Sequence, residues 1–156
     1  MRSITLITFL ILLIQFSKAQ TADAFEPLME SKVPVEVRET FANQHPTAKV
    51  EEWREFRGRF EAKYQADGEQ MFSRYNDEGL FIEDRILMDW NKAPEKLKEG
   101  KEKTNKKYWE VVEFYKRIAD NKEHSYILQL ESDKGEVSTL YFDKSGELEV
   151  KSKSGY

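Results

Sequence analysis

The sequence predicts an α+β protein built from two tandem units, each a helix followed by a four-stranded antiparallel meander. Three observations predict it. Apolar and polar residues alternate with period 2 in segments such as 59–66, the signature of half-buried strands. Glycine-bearing turn signals separate these segments at short intervals. The pattern is also written twice, as YNDEGLFIE at 75–83 and YFDKSGELE at 141–149, with Gly146 lying 67 residues after Gly79 and Glu136 lying 67 after Glu69. Spacing shared across a whole hairpin marks an internal duplication.

Residues 20–32 read as a lead-in, and the first unit occupies residues 33–88. Val33-Pro34 opens a helix over 34–44, with proline tolerated in its first turn, Val37 and Phe41 one turn apart and Pro46 closing it. Arg57-Gly58 then separates a strand bearing Trp53 and Phe56 from one in which Phe60, Ala62, Tyr64 and Ala66 alternate with charged or polar residues. Asp67-Gly68 is a strong two-residue hairpin signal, because both positions tolerate the positive φ of a type I′ turn. Asn76-Asp77-Glu78-Gly79 makes the third turn.

The second unit occupies residues 93–156. Ala93-Pro94 opens a lysine- and glutamate-rich helix over 94–106, and 109–118 (WEVVEFYKRI) gives a strand. Asp120-Asn121-Lys122 is a turn, Tyr126, Leu128 and Leu130 alternate as the Phe60 strand does, and Asp133-Lys134-Gly135 and Asp143-Lys144-Ser145-Gly146 supply the remaining turns. Each unit must cover one sheet face with its helix. The predicted core is Phe41, Phe60, Tyr64 and Leu80 in the first unit and Leu97, Tyr126, Leu128 and Leu148 in the second. The two sheets are expected to lie side by side or run into one another, with both helices on one side.

Residues 1–19 carry Arg2, an apolar run from Ile4 to Ile14 and Ser17-Lys18-Ala19, the layout of a secretory signal peptide. The run is too short to span a bilayer, so no membrane span is expected after cleavage. Removing Arg2 and Lys18 takes the net charge from −4 to −6, which argues against a nucleic-acid partner. The lysines between Lys92 and Lys107 are interleaved with Glu95, Glu99 and Glu102, the pattern of a solvated helix face. The chain has no cysteine, so it has neither disulfide nor thiol chemistry and must be held by its core; that suits a bacterial periplasmic or secreted protein.

The combination of Val33-Pro34, Phe41, HPTA at 45–48, FEAKY at 60–64, and FSRYNDEG at 72–79 or TLYFDKSG at 139–146 resembles the PepSY-like family of exported bacterial proteins. That family is often described as similar in fold to the β-lactamase inhibitor protein, BLIP. The resemblance implies a BLIP-like architecture and an inhibitory or binding role, and it brings no catalytic residues. In the second unit EKTNKKYWE stands where the first has its HPTA connection.

No nucleophile elbow, phosphate loop or dinucleotide fingerprint is present, and the two histidines, His45 and His124, have no metal-binding spacing and sit in predicted loops as solvent-exposed residues. No cofactor and no metal site is called for. Glu61, Asp84, Asp89 and Glu113 read as solvated face residues. The excess of aromatics is the more informative signal, since strands aromatic on both faces cannot bury both under one helix. The sequence therefore points to a non-enzymatic exported binding module that grips a protein or peptide through an aromatic sheet face, with Trp53, Trp90, Trp109 and Tyr115 as its contact residues. Packing between the repeats is the competing account of the same aromatics. The alternative functions are a small-ligand-binding periplasmic protein and a hydrolase using paired carboxylates in the groove between the repeats.

Overall fold

The computed structural model describes residues 25–149. The predicted signal peptide, the start of the lead-in and residues 150–156 lie outside the described residues. Eight antiparallel strands form one sheet in sequence order: β1 Glu26–Leu28, β2 Val50–Phe56, β3 Arg59–Ala66, β4 Glu69–Asn76, β5 Phe81–Met88, β6 Glu110–Ala119, β7 His124–Glu131 and β8 Val137–Phe142. Helix α1, Val35–Gln44, connects β1 to β2, and α2, Glu95–Glu102, connects β5 to β6.

The hairpins form where the turn chemistry places them. Arg57 and Gly58 (φ 51° and 72°) and Asp67 and Gly68 (φ 53° and 81°) take the paired positive φ values of a type I′ turn. Both helices start directly after a proline, Pro34 and Pro94, each of which stands as the N-cap residue. Helices of this length are marginal alone and are held by their buried faces. Val37 and Phe41 pack on Trp53, Phe60, Ala62, Tyr64 and Tyr75, while Leu97 packs on Phe114, Tyr126, Leu128, Leu130 and Phe142.

Both helices lie on the same face, which the register shows. Tyr64 is opposite Met71, Met71 opposite Ile86, Ile86 opposite Lys116, Lys116 opposite Tyr126 and Tyr126 opposite Phe142, one continuous row beneath the two helices. The sheets thus run into one another through the β5–β6 pair. Two glycines pin turns to helices. A Cβ on Gly79 (φ +79°) would lie 2.8 Å from the Glu36 carbonyl, and one on Gly146 (φ +84°) 2.7 Å from the Lys96 carbonyl, so only glycine admits these backbone approaches.

Several expectations are corrected. The lead-in supplies an edge strand, β1, which its composition does not announce. Helix α2 ends at Glu102 rather than 106, where Thr104 Oγ1 donates to the Lys101 carbonyl at 2.8 Å and turns the chain. The second half contributes three strands among the described residues, and beyond Gly146 these residues form only an isolated bridge, Leu148 to Phe142. Leu80 and Leu148 are exposed rather than core, because each stands just beyond the turn glycine, outside the helix footprint. Phe41, Phe60, Tyr64, Leu97, Tyr126 and Leu128 are buried.

Candidate functional site

The sheet face opposite the helices carries a row of alternating charges in direct cross-strand register. Arg54 on β2 is opposite Glu61 on β3, Glu61 opposite Arg74 on β4, and Arg74 opposite Glu83 on β5. In the next row Arg85 on β5 is opposite Arg117 on β6. Arg54 binds Glu52 through Nη2 at 2.7 Å and reaches Glu61 through Nη1 at 3.6 Å. Arg74 donates from Nε to Glu61 at 2.6 Å and from Nη1 to Glu83 at 3.3 Å. Glu83 accepts in addition from Arg85 Nε at 2.6 Å and from Arg117 Nε. One carboxylate therefore gathers three guanidinium groups.

Although no helix covers this face among the described residues, Glu61 is only 3% exposed, Glu83 5%, and Arg74 and Arg85 8% each. Neighbouring side chains supply the cover. The Phe25 ring lies 4.3 Å from the Arg74 guanidinium, and Phe72 lies edge-on to Tyr115 at 5.7 Å, with Ile127 packed beside them. Tyr115 Oη donates to Glu113 at 2.7 Å. Burial pushes the Glu83 carboxyl upward, but Arg85, Arg117 and Arg74 together outweigh it and hold Glu83 below the usual carboxylate range. Between these residues and the β8 side lies a cleft of about 290 Å³ whose walls include Arg59, Arg74, Arg85, Arg117, Glu83 and Glu149.

A second polar cluster lies under the C-terminal end of α1 on the helix face. Ser73 Oγ donates to Asp84 Oδ1 at 2.5 Å and stands 3.2 Å from His45 Nε2 and 3.0 Å from Tyr64 Oη. These are the residue types of a nucleophilic triad in the wrong order. Ser73 directs its hydroxyl to Asp84 rather than to the imidazole, the reverse of the order in which a nucleophilic serine is activated, and Ser73 is 0% exposed. Burial lowers the His45 pKa and Asp84 partly restores it; burial raises Asp84, opposed by the Ser73 hydrogen bond and His45. The Tyr64 phenol is pushed up to about 12 by burial.

The four contact residues expected from sequence do not come together. Trp53 is 5% exposed, wedged edge-on against Phe41 beneath α1, and so belongs to the core. Its indole N–H has no hydrogen-bond partner among the described residues, so packing alone holds it. Trp90, in a 3₁₀ turn, lies edge-on to Phe114, and Trp109 packs against the same second core with Lys106 Nζ 3.7 Å from its ring centroid; both are half-buried on the helix face. Tyr115 is buried on the opposite face. His45 is half-buried rather than an exposed loop residue, and Glu61 and Asp84 are network members rather than solvated. The charge row was recoverable: counting back from the Arg57-Gly58 and Asp67-Gly68 turns places Arg54, Glu61 and Arg74 side by side, opposite charges at every step.

No family model matches the chain, and no curated protein matches it significantly. Solved structures do. The chain superposes on a DUF2874 family protein of Bacteroides ovatus with a TM-score of 0.62 at 16% identity, covering 74% of this chain and 83% of that one. A BLIP-like protein of Bacteroides fragilis matches with a TM-score of 0.58 at 16% identity over 74% and 82%. The fold is BLIP-like. A Bacteroides eggerthii protein described as periplasmic shares it, with a TM-score of 0.63 at 12% identity over 74% and 85%. The BLIP-like sheet of this chain presents its charge row on one face and its two helices on the other. Among the described residues no helix is long and apolar enough to cross a membrane.

Proposed function

We propose that this protein is an exported, non-enzymatic bacterial binding module that engages a protein or peptide through the helix-free face of its BLIP-like sheet. The observation that carries the reading is a face that no helix occupies among the described residues, on which exposed Leu87 and Val137 and partly exposed Arg54 and Arg117 surround an ordered, buried charge row. Ordering guanidinium and aromatic side chains before association reduces the entropy a partner must overcome, and arginine and tyrosine dominate interface energetics. Export is supported by the layout of residues 1–19 and, by analogy, by the periplasmic description of a structural neighbour. The repeated turn spacing and the PepSY-like motifs support tandem units, and the name of the B. fragilis neighbour supports an inhibitory role.

A non-enzymatic role is supported by the state of the acids and of the one serine–histidine contact. Glu83 is held ionised by three arginines and is a poor proton donor, and Ser73 is shielded with its proton committed to Asp84. The test is affinity capture from periplasmic extract with residues 20–156 as bait. Leu87→Asp and Val137→Asp alter exposed apolar positions on the helix-free face, and Trp109→Ala alters the helix face. A partner lost by the first two and retained by the third is expected. A partner lost only by Trp109→Ala would place binding on the helix side and refute the reading.

A further inference from the structure

We infer that the arginine cleft on the helix-free face receives the carboxylate of an aspartate or glutamate side chain of the partner. The inference rests on that face being the binding surface and names the chemistry it reads. Four guanidiniums, from Arg59, Arg74, Arg85 and Arg117, line a space of about 290 Å³. The carboxylates that line it are Glu83 and Glu149, so positive charge is in excess there, reduced in part by Glu61, which Arg74 shares with Arg54. That excess stands out in a chain whose net charge is −4. On a protein or peptide partner the anion that a guanidinium cleft takes in is the carboxylate of an aspartate or glutamate side chain.

The geometry supports the same ligand. Arg85 and Arg117 each place Nε on Glu83, and of the four arginines Arg59 is exposed and Arg117 is 32% exposed, so these two are the ones a ligand can reach. A guanidinium fork receives a carboxylate in two parallel hydrogen bonds. Glu83 fixes the forks in place before the partner arrives. The Phe72–Tyr115–Ile127 cluster is buried beneath this face, and the apolar side chain it leaves to a ligand is exposed Leu87, opposite Tyr115. The recognised element is therefore an acidic residue with an apolar neighbour.

The experiment uses ¹⁵N-labelled residues 20–156 titrated with acetyl-Leu-Glu-Leu-amide, acetyl-Leu-Gln-Leu-amide and inorganic phosphate, observing the Nε–Hε resonances of Arg74, Arg85 and Arg117 and the amides of Phe72, Tyr115 and Ile127. The glutamate peptide should shift both sets saturably and bind more tightly than the glutamine peptide or phosphate. Arg117→Gln, at a partly exposed arginine, should weaken the glutamate peptide about tenfold, the loss expected for a charged hydrogen bond, while its amide spectrum shows the fold intact. Arg117→Lys, which keeps the charge and loses the fork, should weaken it by an intermediate amount. Tighter binding of phosphate, an unchanged affinity in Arg117→Gln, or no saturable shift up to ~10 mM peptide, a Kd weaker than ~3 kcal/mol of binding, would overturn the inference. If both peptides shift the Phe72, Tyr115 and Ile127 amides equally while the arginine resonances stay still, the carboxylate reading fails and the binding face stands. Shifts confined to α1 and α2 would remove both.

Discussion

Replacing Glu83 with glutamine tests the charge row directly. The substitution keeps the size and one acceptor oxygen but leaves Arg74, Arg85 and Arg117 without the carboxylate they share. Each contact is worth several kcal/mol at an effective dielectric near 20, much of it offset by desolvation, and breaking one partner of a buried charge cluster costs about 3–5 kcal/mol. Glu61 still compensates Arg74, and Arg117 is partly solvated, so the lower end, about 3 kcal/mol, is expected. For a domain of this size that corresponds to a fall of roughly 10 °C in Tm. The folded pKa of Glu83 lies below its unfolded value, so its contribution is complete above about pH 4.3 and is lost as pH falls through the folded pKa. Urea unfolding followed by tryptophan fluorescence should therefore show a gap of about 3 kcal/mol at pH 7 that narrows steadily below about pH 4. A gap under about 1 kcal/mol at pH 7, the range of a surface ion pair, or one that does not narrow in acid, would refute the account of this carboxylate as the anchor of three arginines.

The packing sets three further outcomes. Trp53→Ala should cost about 3–5 kcal/mol in urea unfolding, as expected for a core aromatic, whereas half-buried Trp109→Ala should cost clearly less. Gly79→Ala should destabilise by roughly 2–4 kcal/mol, combining positive φ with a clash against the Glu36 carbonyl, while Gly58→Ala, with open space around its Cβ, should cost only about 1 kcal/mol. Because burial depresses the His45 pKa, its neutral form contributes stability above about pH 6.5 that is lost as pH falls toward the folded value. Asp84→Asn removes the group that counteracts this depression, so NMR titration of His45 should move further down in the variant; an upward movement would contradict the geometry of the cluster.

Local chemistry, the common side of the two helices and most of the core were legible in the sequence, and the face and burial of several aromatic and charged residues were not. The hairpins at Arg57-Gly58 and Asp67-Gly68, the alternation in β3 and β7 and the proline-led helix starts depend on neighbours within a few residues, and they appear where the pattern puts them. Face assignment failed where the ladder slips. Bulges between Val50 and Glu52 and between Val111 and Glu113 break the period of 2, so counting along the chain does not tell which face Trp109 or Tyr115 joins. Trp53 and Tyr115 both read as exposable aromatics, yet they lie on opposite faces and are both buried. The His45–Ser73–Asp84 cluster depends on where the end of α1 lands on β4 and β5, a contact between residues far apart in sequence that no spacing encodes.

The strand order has a kinetic consequence. Every strand pairs with its neighbours in sequence, and all the pairs but β1–β2 and β5–β6, whose connections contain α1 and α2, close over a short loop at little entropic cost. The step from β5 to β6 must wait for the segment containing α2 to collapse. Until it does, Phe81–Met88 is an unpaired edge with Ile82, Ile86 and Leu87 available to another chain. The carboxylate of Glu83 and the guanidinium of Arg85 sit on that same strand, one on either side of Asp84, and Glu83 still lacks its contact with Arg117 at that stage. Charges facing out from an open edge discourage intermolecular pairing, so the residues that later organise the helix-free face also guard the half-built sheet against aggregation.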